Sequence, residues 1–116
     1  MFASKPKACE GCPAYDWGVG FVPPTGPRNP PEIAVVGQGP GDTEAQESIP
    51  FHPDAPSGWR ITRWLNQAGL NRSDLAIGNI VQCWLPARKT KGHPTGNREP
   101  TQGEVEFCYR KHVGPW

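Results

Sequence analysis

The sequence of 116 residues has room for one domain, and its net charge of +1 excludes a chain that is basic or acidic throughout. Hydrophobic residues make up only 35%, while 14 glycines and 15 prolines predict long loops. Five tryptophans and four phenylalanines argue against disorder, because disordered chains contain few aromatic residues. We therefore predict a single loop-rich domain, residues 1–116, in which a metal or disulfides supplement a small hydrophobic core.

Residues 1–31 are predicted to form a loop-rich arm that contains Cys9 and Cys12. We find no secretory signal and no apolar run long enough for a membrane span, so we expect an intracellular, cytoplasmic protein without a membrane partner. Thiols stay reduced in that compartment. In a reducing compartment, four cysteines are more typical of metal ligands than of two disulfides.

The apolar run 33–36 predicts a short, buried parallel strand. It ends in a glycine-rich loop over residues 37–41, which is followed by a polar, turn-rich stretch. A loop of this kind allows the backbone to approach a ligand closely.

Ser57 is expected to cap a helix over residues 58–68. Its apolar residues recur with helical spacing and are Ile61, Trp64, Leu65 and Ala68. A second strand, 75–81, leads directly to Cys83. The order strand, helix, strand predicts a right-handed βαβ unit and thus an α/β fold.

Residues 86–103 are predicted to be a loop, and 104–112 a short helix that carries Cys108. A sheet of two strands leaves edges unpaired and one face poorly covered. We therefore expect a second chain or a missing C-terminal half to complete the sheet.

Positive charge is concentrated in residues 55–98, which contain seven basic residues and only one acidic residue, Asp74. This local excess suits the phosphate backbone of nucleic acid, and a solvated basic face without a partner is the alternative. The side chains that we expect at the DNA backbone are Arg88, Lys89, Lys91 and Arg98.

The four cysteines comprise one C-x2-C pair, Cys9 and Cys12, and two distant single residues, Cys83 and Cys108. Structural zinc sites usually combine two short C-x2-C pairs, which this spacing does not provide. One pair with two distant thiolates favours a [4Fe–4S] cluster. Zinc and cysteines without a metal remain the alternatives.

Taken in order, the motifs resemble those of the iron–sulfur uracil-DNA glycosylases, families 4 and 5 of their superfamily. The motifs are Cys9-x2-Cys12-Pro13, Gly37-Gln38-Gly39-Pro40-Gly41, Pro50-Phe51, Ser57-Gly58, Asn79-Ile80-Val81-Gln82-Cys83, and Asn97-Arg98-x-Pro100 followed by Cys108. The resemblance implies the N-terminal half of a three-layer α/β/α domain with a structural [4Fe–4S] cluster on the four cysteines.

The resemblance also implies hydrolysis of the N-glycosidic bond of uracil in single- or double-stranded DNA, a reaction of base excision repair. Phe51 would stack on the flipped base, and the amide of Asn79 would pair with its polar edge. The backbone of Gly37, Gln38 and Gly39 would approach a base carbonyl or a phosphate.

Three features depart from the family pattern. Gln38 stands where these enzymes usually have Glu, a later His-Pro-Ser-type motif is absent, and the family domain is substantially longer. We therefore name Asp42 and Gln38 as candidate catalytic residues, with Glu44 as the alternative carboxylate. The rival functions are a non-catalytic iron–sulfur module that binds nucleic acid and a zinc-stapled interaction domain.

Overall fold

Two parallel strands form the centre of the computed structural model, which describes residues 2–26, 33–86 and 98–113. Strand β1 (Ala34–Gly37) pairs with β2 (Ala76–Asn79), so the predicted α/β class is confirmed. Gly37 lies opposite Asn79 in this register. Because parallel strands end at the same edge of a sheet, the glycine-rich loop begins beside Asn79.

The described residues also form three α-helices, which are α1 (Asp42–Glu47), α2 (Pro56–Gln67) and α3 (Gln102–Cys108). A π-helical turn, Tyr109–Val113, continues α3, and 3₁₀ turns span Lys7–Cys9 and Arg72–Asp74. Among the described residues, no helix combines the length and the hydrophobicity that crossing a membrane would require.

Helix α1 lies where the sequence predicted only turns. Its six residues are polar apart from Ala45, so they show no apolar periodicity. The Glu44 carboxylate accepts the backbone N–H of Gly41 at 3.1 Å, which caps the first turn. This local hydrogen bond favours a helix that the hydrophobic pattern does not indicate.

The predicted cap of α2 was wrong. Ala55 is the residue before the helix, and Pro56 occupies the first helical position. Proline suits that position because its fixed φ is helical and its missing N–H would have no partner there. Ser57 therefore lies within the first turn of α2.

The N-terminal arm pairs with the outer edge of β2 and with the segment that follows β2. Thr25 and Ile77 exchange antiparallel backbone hydrogen bonds of 2.8 and 2.9 Å, and Val19 and Trp84 exchange two of 2.8 and 3.0 Å. The arm therefore covers one of the sheet edges that the sequence left unpaired, and all four residues of β2 are buried.

The hydrophobic core is small and centres on Ala14, Val81 and Leu85. The side chains that pack against it are Cys12, Ile80, Cys83 and Val105. Apolar side chains elsewhere stay exposed, namely Ile33, Val36, Trp59 and Trp64, the last with 61% of its surface accessible. The predicted apolar face of α2 is therefore only partly covered by the described residues.

Candidate functional site

A cleft of about 510 Å³ opens at the carboxyl ends of the two strands. The glycine-rich loop, the first turn of α1, the start of α2 and the end of β2 form its walls. All the predicted substrate-binding residues line it: Gly37, Gln38, Gly39, Phe51 and Asn79. Asp42, the predicted catalytic carboxylate, lines it as well. The fold thus brings together residues that are far apart in the chain.

Phe51 and Asn79 approach each other across Gly37. A Cβ atom on Gly37 would lie 2.5 Å from Asn79 Oδ1 and 2.5 Å from Phe51 Cζ, closer than real Cβ contacts. Only glycine therefore fits between the aromatic ring and the amide. Asn79 is 2% exposed, so a polar group capable of both donating and accepting lies deep in the cleft.

The backbone of Phe51 has a φ of 48°, a left-handed conformation that bulky side chains rarely adopt. Arg72 holds this turn through two donated hydrogen bonds, to the carbonyl oxygens of Phe51 at 2.7 Å and Pro50 at 2.8 Å. Sequence reasoning missed Arg72, because no motif connects it to a turn 21 residues earlier in the chain.

Two carboxylates of α1 line the cleft in different surroundings. Glu44 is 7% exposed, and its two oxygens accept the backbone N–H groups of Gly41 at 3.1 Å and His52 at 3.2 Å. Asp42 is exposed and accepts a hydrogen bond of 2.7 Å from the amide of Gln46. Glu44 therefore joins two loops, whereas Asp42 is the carboxylate that solvent and a ligand reach.

The four cysteines gather around the small core. Burial is the main reason why the pKa of Cys83 is raised to about 11, although Lys5 opposes the rise and Cys12 and Cys9 add to it. Burial likewise raises the pKa of Cys108 to about 12, opposed by the N–H of Gln82. Cys83, Cys9 and Cys12 raise the pKa of Cys108 further, so the four thiols lie within electrostatic reach of one another.

Backbone amides donate to two of the sulfur atoms. The N–H of Ala14 lies 3.4 Å from Cys12 Sγ, and the N–H of Gln82 lies 3.3 Å from Cys108 Sγ. Hydrogen bonds of this kind stabilise the thiolate form that binds iron. The chemistry of this donor set fits an iron–sulfur cluster.

Within the ranges 2–26, 33–86 and 98–113, no three His, Cys, Asp or Glu side chains are placed to hold one metal ion. A single zinc ion requires all its sulfur ligands at about 2.3 Å, so the thiols would have to converge closely. A [4Fe–4S] cluster binds each thiolate through a different iron atom. The identity of the metal that these thiols bind stays a prediction.

His112 is a further contact of the cysteine site. Its Nε2 lies 3.2 Å from Cys9 Sγ, and its ring meets Phe21 edge-on at 5.0 Å between centroids. The sequence contained one indication that His112 lies near the cysteines. His112 follows Cys108 by four residues, and helical residues with that spacing lie on one face. Sequence reasoning did not use that signal.

Arg98 forms a bidentate ion pair with Glu104, with distances of 2.7 and 2.8 Å. Glu104 also accepts the N–H of Thr101 at 2.8 Å, which caps α3. A phosphate contact by Arg98 stays a prediction, and it would compete with this carboxylate. The other three residues expected at the DNA backbone, Arg88, Lys89 and Lys91, lie outside the described residues.

The hydrogen bonds from Arg98 hold the pKa of the Glu104 carboxyl below its ordinary value, although burial opposes them. A lowered pKa stabilises the fold above the ordinary glutamate pKa of about 4.3, and this contribution is lost as the pH falls through the folded-state value. We expect Glu104→Gln to lower the free energy of unfolding by about 2 kcal/mol at neutral pH. Urea titrations at about pH 7 and about pH 3 should give a smaller difference between variant and wild type at the lower pH.

The control for this prediction is Glu106→Gln, an exposed change on the same helix. It should alter the free energy of unfolding by less than about 0.5 kcal/mol at either pH. An equal loss in Glu104→Gln at both pH values would contradict the assigned ion pair.

A sequence model described as the uracil DNA glycosylase superfamily matches residues 23–113. The type-4 uracil-DNA glycosylase of Archaeoglobus fulgidus is 34% identical over 101 residues, which cover 87% of this chain and 45% of that protein. The type-4 uracil-DNA glycosylase of Pyrobaculum aerophilum is 32% identical over 102 residues, 88% of this chain and 46% of that protein. The chain thus spans about half the length of the curated relatives that it matches.

Proposed function

Because this chain belongs to the uracil-DNA glycosylase superfamily, we propose that it hydrolyses the N-glycosidic bond of uracil in DNA, a reaction of base excision repair. The resemblance deduced from its motifs is thereby confirmed at the level of the family. The observation that carries the proposal is the convergence of Phe51, Asn79 and the glycine-rich loop in one cleft. A cleft of about 510 Å³ is in the range of small-molecule sites and has room for a flipped base.

In this proposal, Phe51 and Asn79 recognise the base. The Phe51 ring stacks on the flipped uracil. The Asn79 amide donates to the uracil O4 and accepts from N3–H, whereas cytosine presents the reverse pattern at that edge. An amide held in this orientation therefore disfavours cytosine, whereas an amide turned by about 180° would pair with it.

The proposed reaction breaks the bond between the sugar C1′ and the uracil N1, and the electron pair leaves with the base. Positive charge develops on the sugar, and Asp42 stabilises it and orients the water that adds to C1′. Gln38 helps to position this water but, as an amide, does not act as a base. Backbone N–H groups of the loop that Gly37 begins stabilise the departing anion, which takes up the proton from water.

We further propose that Cys9, Cys12, Cys83 and Cys108 bind a [4Fe–4S] cluster. The amide donors to two sulfurs and the mutual effects of the four thiols on their pKa values support it. When bound, the cluster links the arm, the end of β2 and α3. Its role is structural, because it supplements a small core.

Gln82 connects this cysteine site to the cleft. Its backbone N–H donates to Cys108 Sγ at 3.3 Å, and its side-chain amide donates to the backbone oxygen of Asn79 at 2.9 Å. Gln82 is 1% exposed, so both contacts lie inside the protein. When bound, the cluster would therefore stabilise the segment that presents Asn79 to the base.

The exposed apolar side chains indicate how the domain is completed. Ile33, Val36 and Trp64 expose between 45% and 61% of their surfaces, and the relatives are about twice as long as the matched region. We propose that a polypeptide equivalent to the unmatched part of the relatives covers these residues, either from the same protein or from a second chain.

A non-catalytic module that binds uracil-containing DNA is the second candidate. Gln38 supplies no carboxylate, and both carboxylate oxygens of Glu44 already accept backbone N–H groups. Asp42 is then the one acidic side chain of the cleft that remains open to a ligand among the described residues. The two candidates differ in whether Asp42 acts on the sugar.

An excision assay on uracil-containing oligonucleotides separates the candidates. We expect single- and double-stranded DNA to yield abasic sites, and we expect Asp42→Asn to slow turnover by about a hundredfold with DNA affinity retained. Asp74→Asn, an exposed change away from the cleft, is the control. DNA binding without an abasic product would establish the non-catalytic module, while unchanged turnover in Asp42→Asn would exclude its catalytic role.

A further inference from the structure

We propose that Arg72 is a positioning residue that sets the orientation of Phe51 toward the base, an inference that rests on the proposed function. Arg72 itself does not line the cleft. It acts through the turn at Pro50 and Phe51, whose two carbonyl oxygens it binds.

The turn requires such support because its backbone is unfavourable. Phe51 has a φ of 48°, and a phenylalanine in that region persists only when neighbouring groups hold it. A glycine would adopt this φ without strain, but the residue at position 51 is phenylalanine. The conformation of Phe51 therefore depends on contacts with distant residues.

Arginine suits this position because its planar guanidinium carries several donors in a fixed fork. One nitrogen, Nη1, donates to Phe51 O at 2.7 Å and to Thr62 Oγ1 at 3.1 Å, while Nη2 donates to Pro50 O at 2.8 Å. Donors that carry charge form shorter and stronger hydrogen bonds than neutral ones. A lysine has the charge but not the fork, so it cannot reproduce the set.

The turn is also held from its other side. The N–H of His52 donates to the buried carboxylate of Glu44 at 3.2 Å. Gly58, in the first turn of α2, lies so close to the backbone of Phe51 and His52 that a Cβ atom would not fit. Arg72 thus completes a clamp that fixes both the carbonyl and the amide sides of the turn.

The location of Arg72 connects the turn at Phe51 to strand β2. Arg72 begins the 3₁₀ turn that precedes β2, and β2 ends at Asn79. The two groups that face the base, the Phe51 ring and the Asn79 amide, are therefore tied to the same segment. Arg72 fixes their relative placement, which base recognition requires.

The test compares Arg72→Met, Phe51→Leu and the double variant of the full chain carrying its metal. The measured quantity is the affinity for DNA with one non-cleavable 2′-fluorodeoxyuridine, divided by the affinity for the same DNA with thymidine. Loss of a general attraction between arginine and phosphate lowers both affinities equally, so it does not change this ratio. Arg63→Met is the matched control, because Arg63 lies over the Trp59 ring on α2 and does not line the cleft.

We expect each single variant to lower the ratio about tenfold. If Arg72 acts through Phe51, the double variant should also lose about tenfold, because the second change removes nothing further. Arg72→Lys should restore little of the loss. Independent effects that multiply to about a hundredfold, or full restoration by lysine, would overturn the proposal.

Amide hydrogen exchange supplies a readout that needs no DNA. Arg72→Met should accelerate exchange in a peptide that contains His52 and leave α3 unchanged, and Arg63→Met should alter neither. Faster exchange along the whole chain would indicate a merely structural role and overturn the proposal. Equal affinity of the wild-type chain for the 2′-fluorodeoxyuridine and thymidine DNAs would refute the proposed function. Hydrogen exchange at His52 would still report whether Arg72 holds the turn.

Discussion

Replacement of Cys108 by serine is expected to remove the proposed iron–sulfur cluster and to leave the chain largely unfolded. Two of the proposed ligands, Cys12 and Cys83, pack against the small core, so a cluster held by the four cysteines would connect that core to Cys9 and Cys108. Binding of a structural metal contributes roughly 10 kcal/mol or more, which equals or exceeds the net stability of an ordinary domain. A metal-free chain therefore has little free energy left to hold its fold.

The measurement is iron, sulfide and zinc content, together with visible absorption and circular dichroism, on protein purified without oxygen. Wild type should contain about four irons and four sulfides per chain, and Cys108→Ser should contain far less of both. One zinc and no sulfide in wild type would contradict the cluster and support the zinc-stapled domain.

Val105→Ala is the control that separates ligation from packing. Val105 packs against the same core as Cys12 and Cys83 but carries no sulfur. We expect it to lower the free energy of unfolding by about 1 kcal/mol and to keep the full iron content. Iron loss equal to that of Cys108→Ser would indicate that any disturbance of this core releases the metal.

Asn79→Leu is expected to lower both uracil excision and uracil-specific DNA binding by at least about a hundredfold. Leucine has nearly the shape of asparagine but neither donates nor accepts, so uracil would lose two hydrogen bonds in a buried cleft. The fold should survive, because the backbone oxygen of Asn79 keeps its hydrogen bond from Gln82. Iron content and circular dichroism should match those of wild type.

The matched control is Asn66→Leu, the same change at an exposed position of α2. It should leave excision and discrimination between uracil and thymine unaltered. If Asn79→Leu behaved like this control, Asn79 would not be the residue that reads the base, and the proposed recognition would be wrong.

Several residues of the cleft could be predicted from the sequence because the patterns that indicate them are local. An apolar run followed by glycines predicts a strand and a close-approach loop at any position in a chain. Asn79 was recognisable as a polar residue inside an otherwise apolar strand. The family motifs joined these signals into one resemblance, and the family model that matches residues 23–113 confirmed the family.

Other features had only weak or misleading local signals. Helix α1 is short and polar, and its first turn is capped by a hydrogen bond from the Gly41 N–H to Glu44. The start of α2 was misplaced because Ser57 is a common cap, whereas Pro56 at the first helical position decided it. The apolar spacing of α2 predicted a buried face but not that Trp64 would stay exposed.

The sequence by itself determined the α/β class and the two strands, because apolar periodicity and glycine content act over a few neighbouring residues. The family resemblance, carried by motifs along most of the chain, indicated Phe51 and Asn79, which the structure places in the cleft. Only the tertiary structure decided which distant groups meet. It placed Arg72 on the carbonyls of Phe51 and Pro50, and His112 on Cys9. These contacts depend on how strands and turns from separate parts of the chain pack in three dimensions, and pairwise geometry of that kind leaves no regular spacing in a single sequence.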